Sequence, residues 1–377
     1  MCKCDAENLD FLAASFVCTP YSPANPKRHQ PGYNPMNDPA ASTFHGVRAA
    51  IAKNRPKYFV LENVDGVSHS SKTETGEKKP PPLEYMLNDK QGGLRSAGYL
   101  VDVVNHLYGT RVGLPQVRGR TLFFGTRDDL KSTSGANVLL ETFQRILGHC
   151  DGSRVYHIDT FISATEPAAE VEPGDRSSID ELGVNIDYNT ELRKNLRKAQ
   201  ECELLPKNII LPPDSERPSF KFRQSLSASC SARVDIFDAI IKAKVAATHM
   251  NHPLVVLELN LCCAIRLAVI VSGSVCSNAD WVPAKVDASQ NVERHAYRTD
   301  GTVPTLCTGS HIFSYKLGKF LSAKDLAVSM GMPRENLNLT MVSEVAARKI
   351  VGNGYVVPLA AIACAAVCVQ TGHLVKA

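Results

Sequence analysis

The chain has 377 residues, 44% of them hydrophobic, which is enough for a substantial core and suits two domains or one large domain with an insertion. A formal net charge of +4 is mildly basic; it permits a polyanionic partner without pointing to one. Twelve cysteines spread over a chain this long show no compact disulfide framework; no Cys-x-x-Cys pair occurs and Cys2-Lys3-Cys4 has no partner pair at zinc-like spacing, so no metal site and a reduced, intracellular compartment are expected.

Met1 to Leu12 carries Asp and Glu and lacks a positive leader before an apolar stretch, so no signal peptide is expected. Asp10 to Val17 reads as a short buried strand stopped by Cys18-Thr19-Pro20. Pro23 to Pro39, rich in Pro and Asn, reads as a mobile loop too irregular for an element. Ser42 to Lys53 has helical spacing, with Phe44, Val47, Ala50 and Ile51 on one side. Tyr58 to Leu61 is a strand ending at Glu62, and Ser68 to Pro82 is a polar loop rich in Lys and Pro. Leu83 to Ala97 looks helical, while Tyr99 to Leu107 and Arg120 to Gly125 look like strands. This succession is the grammar of an α/β domain with a largely parallel sheet, whose catalytic groups sit at the carboxyl ends of strands. Cys18 and Glu62 both fall there.

Beyond Asp128 the character changes. Pro167 to Asp180 is acidic and rich in breakers, Tyr188 to Leu204 looks like a polar helix, and Ile209 to Pro218 is broken by Pro. Pro253 to Cys276 is the most apolar stretch. Glu258 and Arg266 interrupt it, which argues against a membrane span and for buried strands or an unusual inserted segment. Order returns near Arg298 with Thr302-Val303-Pro304-Thr305, then Leu321 to Gly331, and the last element is an apolar helix over Val356 to Cys368. Cys364 and Cys368, four apart in that run, read as core fillers.

Three segments carry chemistry. Cys18 is a thiol on a loop after an apolar strand, Glu62 is a carboxylate ending a second strand, and Arg118 and Arg120 open a third. Together they offer a nucleophile, an acid and two cationic anchors. Taken singly, each has a plainer reading: a buried structural cysteine, a strand-end salt bridge, two exposed arginines.

In combination the segments resemble the DNA (cytosine-5) methyltransferases. Val17-Cys18-Thr19-Pro20-Tyr21-Ser22 is similar to that family's Pro-Cys loop, Glu62-Asn63-Val64 to its Glu-Asn-Val motif, and Gln116-Val117-Arg118-Gly119-Arg120 to its Gln-x-Arg-x-Arg motif. Leu321 to Pro333 resembles the ninth motif, and Gly352-Asn353-Gly354-Tyr355-Val356-Val357-Pro358 the tenth. The resemblance implies a Rossmann-like α/β methyltransferase sheet with an inserted, smaller target-recognition domain. The implied boundaries are 1–128 for the catalytic domain, 129–290 for the recognition region and 291–377 for the return to the catalytic domain.

The resemblance further implies methylation of cytosine C5 in double-stranded DNA, on a base swung out of the duplex. Cys18 would attack C6, Glu62, buried at its strand end, would meet N3, and Arg120 would face O2. Arg118 and Ser22 would touch phosphate, Gln116 would contact the nucleic acid, and Asn353 and Ser22 would touch S-adenosylmethionine. The expected location is nuclear in a eukaryote and cytoplasmic in a bacterium, with no membrane association. A tRNA-modifying branch of the family carries a Cys-Phe-Thr signature that is absent here.

The chain departs from the pattern in several places. The family opens with a Phe-x-Gly-x-Gly loop, yet only 17 residues precede Cys18 and they contain no glycine. The expectation is an N-terminally truncated sheet, with three explanations left open: Met1 is internal to a longer product, the gene is a relic, or a second chain supplies the cofactor half. Val17 replaces the usual proline, Thr19 the glutamine, and Asp38-Pro39-Ala40-Ala41 lacks the arginine that usually follows the aspartate. The alternative reading is a catalytically inactive homologue acting as a DNA-binding or scaffold protein.

Overall fold

The computed structural model describes residues 9–30, 32–72, 75, 77–88, 92–130, 132, 135–150, 155–162, 187–220, 227–250, 284–339 and 341–373. The expectations for Cys2-Lys3-Cys4, Pro167 to Asp180 and the apolar run Pro253 to Cys276 lie outside them. The chain divides into two compact units. The first comprises residues 1–113, 118–155 and 356–377; the second comprises 114–117 and 156–355.

The first unit is built on a four-stranded sheet formed by β1 (Phe11–Ser15), β2 (Tyr58–Val64), β5 (Tyr99–Leu107) and β6 (Arg120–Arg127), in the order β1-β2-β6-β5. A two-stranded hairpin, β3 (Ser71–Lys72) with β4 (Lys78–Lys79), interrupts the segment expected to be loop. The sheet is mixed, which corrects the expectation of a largely parallel one. Only β1 and β2 run parallel; β6 is antiparallel to both β2 and β5. The reason lies in the connection: no crossover helix separates β5 from β6, and a short link through a 3-10 turn (Gly109–Val112) reverses the chain.

Helices cover both faces of the sheet. α1 (Ser42–Asn54) packs Phe44 and Ile51 into a core with Phe16, Phe59, Leu61, Tyr99 and Phe123. On the other face Phe124 stacks on Phe143 of α3 (Val138–Cys150) at 4.6 Å between ring centroids. The terminal apolar helix α8 (Val357–Gln370) lies against α3, where Gln370 donates to the Thr142 hydroxyl at 2.5 Å. The alternation of β2 and β6 sends successive aromatic residues to opposite faces, so both strands are buried almost throughout.

Two local expectations change. Leu83 to Ala97 is helical only as α2 (Pro82–Asn88), followed by a 3-10 turn at Arg95–Ala97; Gly92-Gly93 separates the two. The loop after Ser22 is not formless. Asn25-Pro26, Asn34-Pro35 and Asp38-Pro39 each open a short 3-10 turn, the Asn or Asp side chain accepting from the backbone N–H two residues on.

The second unit has its own core. α4 (Tyr188–Glu201), close to the expected polar helix, and α5 (Ala228–Met250), which sequence reading did not assign, pack on a small antiparallel sheet. Its strands are β7 (Lys285–Asp287), β8 (Tyr297–Arg298), β9 (Ile312–Ser314) and β10 (Lys319–Phe320), in the order β10-β9-β7-β8. α6 (Ala323–Ser329) starts in a capping box, in which the Ser322 side chain and Asp325 exchange hydrogen bonds with each other's backbone amides. α7 (Glu344–Asn353) closes the unit. Among the described residues no single helix is long and apolar enough to cross a membrane.

Candidate active site

β1 ends at Ser15, and the chain turns sharply three residues later. The amides of Tyr21 and Ser22 both donate to the Cys18 carbonyl at 2.9 Å, which wraps Thr19-Pro20 into a tight loop and leaves Cys18 half-buried as a free thiol. Two side chains hold the approach to this turn. Thr43 at the start of α1 accepts from the Val17 amide at 3.0 Å. Asn63, only 1% exposed, donates from Nδ2 to the Phe16 carbonyl at 2.8 Å, and its Oδ1 accepts from the Val64 amide. The second residue of Glu62-Asn63-Val64 therefore ties the thiol-bearing turn to the strand that carries the carboxylate.

The parallel register sets Ser15 opposite Glu62, and the Ser15 hydroxyl donates to Glu62 Oε2 at 2.9 Å. From the antiparallel neighbour, Arg120 brings Nε to 2.6 Å from Glu62 Oε1. This is a close ionic contact rather than a well-angled hydrogen bond, since Nε finds no acceptor in line. Glu62 keeps 16% of its side chain exposed, whereas Arg120 keeps 5%. The expectation of a buried carboxylate gives way to a partly exposed one paired with arginine.

The structure thus brings Cys18, Glu62 and Arg120 to one end of the sheet, with Ser22 closing the Cys18 turn; the Ser22 hydroxyl accepts from the Ala24 amide at 3.2 Å. Arg118 lies just before β6 and is buried, at 3% exposure, rather than displayed. Gln116 and Asn353 belong to the second unit. Gln116 is fully buried there, bridging to Val303 and donating to the Met330 sulfur at 3.5 Å, so it offers no exposed amide for a base. Asn353 ends α7 in an exposed position.

Sequence reading passed over several residues that shape this end of the sheet. Asp65 follows the Glu-Asn-Val run. Its Oδ1 accepts from the His106 amide and the Thr121 hydroxyl, and its Oδ2 meets His106 Nδ1 at 3.1 Å. His106 sits in a bulge of β5 with φ of 57°, a left-handed conformation unusual for a non-glycine residue. Tyr21 is fully buried under the Cys18 turn, and burial pushes its phenol well above the ordinary value. No periodicity marks such residues; the signal was their proximity to the motifs. Among the described residues, no cluster of His, Cys, Asp and Glu is arranged to hold a metal.

The model of the family described as C-5 cytosine-specific DNA methylase matches residues 3–367. No curated protein matches the chain. Among solved structures, the S. pombe Dnmt2 methyltransferase is similar at 12% identity, covering 97% of this chain and 79% of that one with a TM-score of 0.41. The Entamoeba histolytica methyltransferase EhMeth is similar at 11% identity, covering 96% and 78%, with a TM-score of 0.40. With residues 3–367 of the 377 matched by one family model, this chain belongs to the C-5 cytosine-specific DNA methylase family.

Proposed function

We propose that the protein methylates C5 of cytosine in double-stranded DNA, with S-adenosylmethionine as methyl donor and Cys18 as a transient covalent nucleophile. The observation that carries this reading is the Glu62–Arg120 pair, joined through Ser15 and Asn63 to the turn that bears Cys18. Family membership supports cytosine C5 as the reacting atom.

Cytosine C5 is a poor nucleophile. In the proposed reaction the Cys18 thiolate bonds to C6 of a flipped base, and the displaced electron pair spreads over C5, N3 and O2. Glu62 then meets N3 and Arg120 meets O2, exchanging their mutual contact for contacts with the ring, where developing charge is stabilised. C5 so activated is the methyl acceptor. The C5 proton then passes to solvent water, its electron pair re-forms the C5=C6 bond, and Cys18 Sγ leaves C6 as the thiolate.

S-adenosylmethionine supplies an electrophilic methyl group when bound. The residues expected to hold it do not fit it as a set. They are one hydroxyl, on Ser22, already accepting from the Ala24 amide, and one amide, on Asn353 in the other unit. That mismatch favours a second reading, a DNA-binding or scaffold protein without turnover.

Duplex DNA carrying 5-fluorocytosine separates the two. Fluorine at C5 blocks the final elimination, so an active protein is trapped on its DNA. The expected result is a covalent adduct that depends on S-adenosylmethionine and disappears in Cys18→Ala. A folded chain that binds the DNA and yields no adduct would sink the catalytic reading in favour of the binder.

A further inference from the structure

Arg28 lies in the loop expected to be mobile, in the 3-10 turn Pro26–His29. That turn is aimed at the Cys18 turn. Asn25 caps it through Oδ1, which accepts from the Lys27 amide at 3.0 Å, while Asn25 Nδ2 donates to the Thr19 carbonyl at 3.0 Å. The Arg28 guanidinium then reaches three backbone carbonyls from two separate segments. Nη1 donates to the Tyr21 carbonyl and, at 2.8 Å, to the Gly66 carbonyl; Nη2 donates to the His69 carbonyl at 3.0 Å. Among the described residues no carboxylate pairs with it, and burial pulls its pKa down.

The arrangement has a physical logic. Tyr21 stands three residues after Cys18, and Gly66 four after Glu62. Their carbonyl oxygens converge on a single nitrogen, two negative dipole ends that would repel each other without a cation between them. The backbones approach so closely that a methyl group at Gly66 would collide with the Tyr21 carbonyl. A planar fork with several donors fits such a cluster; a lysine ammonium is a point charge on a flexible stem and fits it less well.

We propose that Arg28 is a positioning residue: its guanidinium clamps the Cys18 turn onto the turn that follows Glu62, and so holds the thiol in register with the carboxylate. The link to catalysis rests on the proposed methyl transfer; the clamp itself does not.

The test compares wild type, Arg28→Ala and Arg28→Lys by three readouts. Amide hydrogen exchange is followed by peptide, Cys18 alkylation by iodoacetamide is followed by mass spectrometry, and adduct formation with 5-fluorocytosine DNA is timed beside the affinity for that DNA. In Arg28→Ala, exchange over residues 18–29 and 65–69 is expected to quicken on the order of tenfold or more, as for a local opening, while β2 and β6 stay protected. Cys18 alkylation should change rate with it, and Arg28→Lys should restore part of both. Where wild type forms the adduct, Arg28→Ala should slow trapping with DNA affinity held. Unchanged local exchange would overturn the clamp, as would a loss of protection spread equally over β2 and β6. If Arg28→Ala does not fold, the same two outcomes are read from Arg28→Lys. If wild type forms no adduct, methyl transfer fails while exchange and alkylation still decide for or against the clamp.

Discussion

Replacing Asn63 with alanine tests whether the Glu-Asn-Val strand holds the Cys18 turn. The side chain is 1% exposed and makes two hydrogen bonds, 2.8 Å to the Phe16 carbonyl and 2.9 Å from the Val64 amide. Alanine removes both partners. Phe16 is buried, so its carbonyl meets the full cost of an unpaired buried group, about 1–3 kcal/mol. Val64 is half-buried, and water recovers part of its amide's loss. The expected destabilisation is about 2–3 kcal/mol, a large fraction of the roughly 5–15 kcal/mol typical of a domain. Hydrogen exchange of the β2 and β6 amides is the assay of choice, because it reports the first unit alone. Asn63→Asp adds a sign. A carboxylate facing the Phe16 carbonyl in a buried site has its folded pKa raised above the unfolded value, about 3.9. Its destabilisation is therefore small below that value, where the protonated acid can donate to Phe16, and grows as pH rises through the folded pKa. A loss below about 0.5 kcal/mol for Asn63→Ala, the ordinary range for a surface change, would refute the tether.

Two further outcomes follow from the same geometry. Glu62→Gln leaves the nearly buried Arg120 without its counter-charge; because Glu62 is partly exposed, the expected cost is about 2–3 kcal/mol, below the full buried-pair value, measured by the same exchange and accompanied by loss of the 5-fluorocytosine adduct. Asp38 has its pKa lowered first by the Ala40 amide and then by the Tyr33 hydroxyl, so its contribution is present above the unfolded value and is lost as pH falls through the folded one. Asp38→Asn keeps an acceptor for the cap, so its stability should fall less than that of wild type when urea unfolding is repeated from about pH 5 to pH 2; equal acid sensitivity would show that Asp38 contributes nothing there.

Much of the first unit was legible because its signals are local. The short apolar runs Tyr58-Phe59-Val60-Leu61 and Thr121-Leu122-Phe123-Phe124, rich in aromatic and branched residues, read as buried strands, and the spacing of Phe44, Val47 and Ile51 reads as one face of a helix. α5 was missed because its Ala, Ser, Ile and Val residues follow no clean stripe. The motifs mark Glu62 and Arg120 as members of one site, but their direct contact depends on the antiparallel register of β2 with β6, which no local pattern encodes. Gln116 read as a contact for nucleic acid, but pairing with Val303, far along the chain, buries it.

By itself the sequence determined the family, through the order of its motifs, and the identity of the thiol, the carboxylate and the arginine that the proposal uses. Only the tertiary structure decided that the sheet is mixed, and that Arg28, Asn25 and Asn63 grip backbone carbonyls around the Cys18 turn. The physical reason is that every residue carries the same carbonyl and amide. A side chain that binds them leaves no mark in composition or periodicity, and its partner is named only when the fold brings residues such as 28 and 66 within hydrogen-bonding distance.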